Sequence, residues 1–150
     1  MTEKHSSKPP PRCKAILLCD QTIRDAATGK PSVIGIFDRL RFSSFPAQTA
    51  PFKLFLELIE GIGSFEIVVE LYDLRENKTL SRSRPHRLEF QDRLDRHYLY
   101  MSVPRLLLPH PGSYDVLVLA NEQEADRKKF QAITSEGESH GQEERSATDE

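Results

Sequence analysis

Apolar and polar residues alternate with a period of two through most of the chain, and no stretch sustains a 3.6-residue apolar stripe. The pattern therefore predicts half-buried β-strands rather than amphipathic helices. The first predicted strand spans 14–22 around Ala15-Ile16-Leu17-Leu18-Cys19. The stretch from Arg24 to Lys30 is turn chemistry: Asp25 can accept from the backbone ahead of it, and Gly29 can take a positive φ. A second strand over 32–41, with Val33-Ile34-Gly35-Ile36-Phe37, completes an antiparallel hairpin. After a loop over 43–51, strands at 52–60 and 64–73 flank Gly61-Ile62-Gly63, which reads as a tight hairpin turn. Pairing Glu60 with Phe65 sets Leu58 against Ile67, Leu56 against Val69 and Leu54 against Leu71, so all six apolar side chains share the buried face.

The other face of that hairpin holds Phe55, Glu57, Ile59, Glu66, Val68, Glu70 and Tyr72. An outer sheet face ordinarily turns polar. Phe55, Ile59, Val68 and Tyr72, set among Glu57 and Glu70, therefore form a candidate interaction surface. The alternative is that the loop 43–51 folds over this face and Phe45 covers it.

Further along, 79–90 is a weak, charged strand interrupted by Pro85, which suits a sheet edge. Strands at 96–103 and 113–120 follow. The segment 125–133 has Glu124 and Lys128 near its start, a pair that can support a helical turn, yet it lacks an apolar stripe and reads as a final hairpin strand. Seven to eight short strands predict an all-β, two-layer antiparallel β-sandwich. Pro111-Gly112-Ser113-Tyr114 opens the most apolar late strand, where the hydroxyl of a corner tyrosine would bond the preceding crossover. That feature points to an immunoglobulin-like topology.

Composition sharpens the boundaries. Hydrophobic residues make up 37% of the chain and charged residues 29%, a low apolar share that implicates the ends. Residues 1–12 include Pro9-Pro10-Pro11, and residues 134–150 contain no Leu, Ile, Val, Phe or Tyr. Both are expected to be disordered tails around a domain at 13–133. The C-terminal tail is acidic, with six carboxylates against Arg145. The remaining charge is near neutral, which argues against a basic nucleic-acid binder. The first apolar run, Ala15 to Cys19, is too short for a secretory signal core or a membrane span, so no membrane association is expected and a cytoplasmic location is. Cys13 and Cys19 on one strand would lie roughly 20 Å apart, beyond disulfide reach, and are expected as free thiols.

No catalytic or cofactor constellation emerges. None of His5, His86, His97, His110 and His140 stands beside a Ser or Cys in a nucleophile motif. The cysteines lack zinc-ligand spacing. Asp25 is better explained by its turn than as a metal ligand, and Asp20 and Asp38 fall toward opposite ends of the paired strands. Gly61 and Gly63 have no helix after them to form a phosphate cradle. Arg82, Arg84, His86, Arg87, Arg93 and Arg96 are interleaved with Glu89, Asp92 and Asp95 and read as a solvated edge rather than a nucleic-acid track.

Taken together, Leu18-Cys19-Asp20, Ile34-Gly35-Ile36-Phe37-Asp38-Arg39, Ser44-Phe45-Pro46-Ala47 and Pro111-Gly112-Ser113-Tyr114 resemble a bacterial family of uncharacterised small β-rich proteins, a domain of unknown function. The resemblance runs from about Cys13 to Ile133 and implies a fold without an activity or site residues. The expectation is a non-catalytic cytoplasmic binding or interaction module, with an unidentified protein or a second copy as partner and no cofactor. The alternatives are an enzyme or ligand-binding domain whose site forms at an oligomer interface, and a structural subunit of a larger assembly.

Overall fold

The computed structural model describes residues 9–135. Among them are twelve strands: β1 (Arg12–Arg24), β2 (Pro31–Phe37), β3 (Arg39–Phe42), β4 (Ala47–Gln48), β5 (Phe52–Ile59), β6 (Gly63–Asp73), β7 (Lys78–Arg82), β8 (His86–Phe90), β9 (Arg96–Val103), β10 (Leu107–Leu108), β11 (Gly112–Ala120) and β12 (Gln123–Thr134). One sheet has the order β2-β1-β5-β9. The second has the order β3-β12-β11-β6-β7, with β8 also beside β6, and β4 and β10 form a two-stranded ribbon. The protein is an all-β sandwich, and the segment 125–133 is strand, as its lack of an apolar stripe implied.

The count exceeds the expected seven to eight strands for identifiable reasons. The segment 79–90 breaks before His86 into β7 and β8, because Pro85 has no N–H to donate. The strand expected over 32–41 breaks at Asp38: β2 stays in the first sheet, while β3 crosses to the second and runs parallel to β12. The sandwich is therefore mixed rather than wholly antiparallel. The dipeptide strands β4 and β10 are too short to leave a pattern.

The predicted hairpin of 52–60 with 64–73 does not exist. β5 pairs with β1 and β9, and β6 pairs with β11, β7 and β8. Glu60 (φ 64°) and Gly63 (φ 90°) turn the chain out of one sheet and into the other. Leu54, Leu56, Leu58, Ile67, Val69 and Leu71 are all buried as expected. They meet across the interior, however, from sheets on the order of 10 Å apart. Tyr114, Val116, Val118, Phe130 and Ala132 complete the core from the second sheet.

The domain also reaches slightly past the expected edges. Pro11 is buried and Arg12 opens β1, with its guanidinium 3.2 Å from Glu60. At the other end Thr134 belongs to β12 and the Ser135 amide donates to the Phe42 carbonyl. The rest of the two expected tails, 1–8 and 136–150, lies outside the described residues.

Candidate functional site

The candidate surface drawn from the sequence is not one surface. Because β5 and β6 belong to opposite sheets, Phe55, Glu57 and Ile59 lie on one outer face and Val68, Glu70 and Tyr72 on the other. Phe55 is only 7% exposed: Tyr98 and Tyr100 of β9 pack on its ring at 5.6 and 5.7 Å. Val68 is buried. Glu57 is held by Arg96 at 2.8 Å and Glu70 by Arg82. The Tyr72 hydroxyl donates to Asn77 Oδ1 at 3.0 Å, and Ile59 is half-buried. Nor does the loop 43–51 form the cover offered as the alternative, for Phe45 packs edge-on against Phe42 and against the core.

The apolar surface that does stay open is on the first hairpin. β5 accompanies β1 only as far as Cys19, so the rest of β1 and its partner β2 form a two-stranded arm. Its tip is built as the sequence indicated: Asp25 Oδ1 accepts from the Ala27 amide at 2.8 Å, and Gly29 adopts φ 73°. Gly35 (φ 73°) lies opposite Asp20, whose carboxylate oxygen would be 2.3 Å from a Cβ there, so any side chain at this position strains the backbone and displaces that carboxylate. The register of Gln21 with Ile34, Cys19 with Ile36 and Ile23 with Ser32 sets Ile23, Ile34 and Ile36 on one face. They are 44%, 48% and 59% exposed. Arg24 ties the arm back to the body, its guanidinium 5.2 Å from the Tyr100 ring centroid. β2 has no neighbour on its other side, and its sequence PSVIGIF contains no charge. The edge strands of the two large sheets other than β2 each contain Arg or Lys: Arg39 and Arg41 in β3, Lys78 and Arg82 in β7, Arg87 in β8 and Arg96 in β9. The sequence shows β2 as an uncharged strand with isoleucine on both sides of a glycine, but its exposure depends on where β5 leaves β1, which no local pattern reports.

In the second sheet, where β11 begins, Tyr114 adopts the corner arrangement. Its hydroxyl donates to the His110 carbonyl, and its ring stacks between His110 at 5.4 Å and Phe130 at 5.6 Å. His110 Nε2 lies 2.8 Å from Asp73 Oδ2, and its Nδ1 lies 2.8 Å from the Pro111 carbonyl. Asp73, fully buried, also accepts from the Arg75 and Glu76 amides. Both nitrogens of the imidazole already face acceptors, so this His–Asp pair has no nitrogen left to activate a nucleophile. It fastens a turn. Asp73 escaped the sequence reading, although an Asp directly before the turn at 74–77 is the usual position for such a side-chain acceptor.

The remaining candidates offer less. A cleft of about 190 Å³ opens between the edges of the two sheets, floored by Leu54, Val69, Leu71 and Met101 and rimmed by Ser81 and Arg82. Arg82 is bound there by Glu70 and Glu122. Arg87 similarly faces Glu66 at 3.7 Å, so several arginines of the basic stretch are spent on carboxylates. Both cysteines are free thiols. Burial, with Asp126 nearby, pushes the Cys13 thiol up to about 12; burial, then Asp20, raises that of Cys19. Neither is poised as a nucleophile. Among the described residues no three His, Cys, Asp or Glu side chains converge to hold a metal ion. No helix there is long and apolar enough to cross a membrane.

Fold and surface together define a small all-β sandwich whose edge strand β2 carries no charged residue. By sequence, residues 14–133 match the Family of unknown function (DUF6941), and the chain belongs to that family. No curated protein matches it. Among solved structures, it is similar to part of an alkylpurine DNA glycosylase from Pseudomonas fluorescens, bound to DNA containing an abasic site analog. That match has 9% identity and a TM-score of 0.48, and covers 83% of this chain and 31% of the glycosylase. It is also similar to part of a β-glucosidase from Listeria innocua in complex with glucose, at 10% identity and a TM-score of 0.44, covering 65% of this chain and 15% of that one. An immunoglobulin-like protein from Pseudomonas aeruginosa aligns at 8% identity with a TM-score of 0.34, over 84% of this chain and 98% of that one. The chain thus spans less than a third of the length of the two enzymes.

Proposed function

We propose that this protein is a non-catalytic interaction module whose contact surface is the β1–β2 arm. The observation that supports the reading is the uncharged edge of β2 with Ile34 and Ile36 beside it. Soluble proteins ordinarily protect a free sheet edge with charge, proline or a covering loop, since an open one recruits another strand; Pro31 removes one donor at the start of β2 and leaves Ser32 to Phe37 open. A two-stranded ribbon is also marginal in water by itself. Docking a strand there would satisfy the free backbone groups and cover the isoleucines, the recognition mode of strand addition.

The test compares affinity purification of the tagged full-length protein from its own host with the same experiment on Ile36→Lys. The wild type should retain a protein, untagged copies of itself included, and the variant should lose it while keeping the wild-type melting curve. An identical retained set for both would exclude the arm as the contact.

A further inference from the structure

Resting on that reading, we infer that the strand docking on β2 is β2 of a second copy, antiparallel about a two-fold axis through Ile34. The argument is one of register and charge. With Ile34 opposite its own copy, Val33 meets Gly35, Ser32 meets Ile36 and Pro31 meets Phe37. Just beyond the paired strands, Lys30 of one copy lies nearest Asp38 of the other, at the corner where the chain leaves for β3. The axis repeats every contact, so one self-pairing yields two Lys–Asp pairs that bracket an uncharged strand. Opposite charges across a strand pair stabilise it, and like charges would oppose it. A register centred one residue later, on Gly35, would set Asp38 against Ser32 and leave Lys30 opposite Leu40. Of these two registers, the Ile34 one matches charge with charge.

Geometry on the arm is compatible with this. Lys30 and Asp38 are exposed, and β2 between them is bonded only on its β1 side. Residues directly opposite in a strand pair share a face, so the exposed Ile34 side chains of the two copies pack against one another. Ile36 of each copy lies beside Ser32 of the other. Two four-stranded sheets would then join into a continuous eight-stranded one, which removes one free edge from each copy.

The full-length chain should sediment as a concentration-dependent dimer, and Ile34→Lys should sediment as a monomer. Lys30→Glu and Asp38→Lys should each weaken the dimer by about tenfold, as two exposed pairs become repulsive. Combining both substitutions in one chain restores opposite signs at both positions and should recover wild-type association. A register-specific check uses cysteine: two Ile34 Cα atoms would lie about 4.5–5.5 Å apart, within disulfide range. Ile34→Cys should therefore form a reducible dimer on mild oxidation. Ser32→Cys should not, because its two copies would be roughly 14 Å apart. A monomer at every concentration, failure of the double charge swap to recover association, or equal cross-linking from Ser32→Cys would each overturn the inference. If the chain is monomeric while Ile36→Lys still abolishes retention of a different protein, the second-copy inference falls and the interaction reading stands. If Ile36→Lys changes nothing in either assay, both fall.

Discussion

Replacing Tyr114 by phenylalanine isolates one hydroxyl. The ring is fully buried and stacked on His110 and Phe130, and phenylalanine preserves both stacks. What disappears is the hydrogen bond donated to the His110 carbonyl, together with the long one accepted from the His110 amide at 3.4 Å, which fix the crossover entering β11. A neutral hydrogen bond of this kind stabilises by about 1 kcal/mol net, and stranding its buried acceptor raises the loss to about 1–3 kcal/mol. For a domain of this size that corresponds to a fall of roughly 3–10 °C in Tm. Urea unfolding should show a lower midpoint with an unchanged slope, since the surface exposed on unfolding is the same. Tyr72→Phe is the internal control: it removes a hydroxyl bonded to Asn77 at an exposed turn, where water replaces the lost partner and the cost stays within about 0.5 kcal/mol. Equal midpoints for the two variants would refute the idea that the corner tyrosine ties the crossover.

Asp73→Ala should cost about 3–5 kcal/mol in urea, because it leaves His110 and two turn amides without their buried acceptor. Asp73→Asn should cost less, and parity between them would mean that charge plays no part. Both native thiols should resist a thiol reagent at pH 8 and react after unfolding without prior reduction; fast labelling of the folded chain would contradict their raised pKa values. The unfolded chain gives up the Cys13 proton near pH 9.0, while the folded chain keeps it to about 12. Stability should therefore be complete below pH 9 and fall between pH 9 and about 12. Cys13→Ala should flatten the onset of that decline, and an unchanged onset would assign it to another group.

How much of this was readable from sequence depended on which contacts a pattern can encode. The period of two identified nearly every long strand and six of the inward-facing residues of β5 and β6, though not Phe52 and Phe65, because alternation reports burial directly. Alternation does not report which strand lies alongside. Leu56 needs an apolar partner, and both Ile16 beside it and the second sheet across from it satisfy that need. The pairing of β5 with β6 was inferred from proximity in sequence, and the candidate surface inherited the error. Tyr114 was legible because its partner is four residues away. The exposed isoleucines were not, since their exposure depends on β5 ending its partnership with β1 at Cys19, a tertiary fact without local signature.

Gly61 gives the sharpest separation between the local reading and the folded one. As a turn glycine it would be valued for backbone freedom. Its φ is not in the left-handed region, however, so alanine meets no backbone penalty there. On that ground alone Gly61→Ala should stabilise by about 0.4–1 kcal/mol through the unfolded chain. Packing gives the opposite sign. A Cβ on Gly61 would lie 2.7 Å from Phe90 Cδ1 and 2.9 Å from two further ring carbons. Phe90 is itself buried, edge-on to Phe65 at 6.0 Å and to His97 at 4.7 Å, so the ring has little room to retreat. Overpacking of this kind costs about 1–3 kcal/mol. Gly61→Ala should therefore destabilise by about 1–2 kcal/mol in urea titration, and Phe90→Leu in the same chain should make the alanine cheaper, a non-additive pair. Gly29→Ala provides the contrast. Nothing lies within 4 Å of its Cβ position, and its cost of about 1 kcal/mol comes from φ 73° alone, which no second substitution relieves. If Gly61→Ala proves neutral or stabilising, the link between β5 and β6 does not rest on Phe90, and the crossing from one sheet to the other loses its packing rationale.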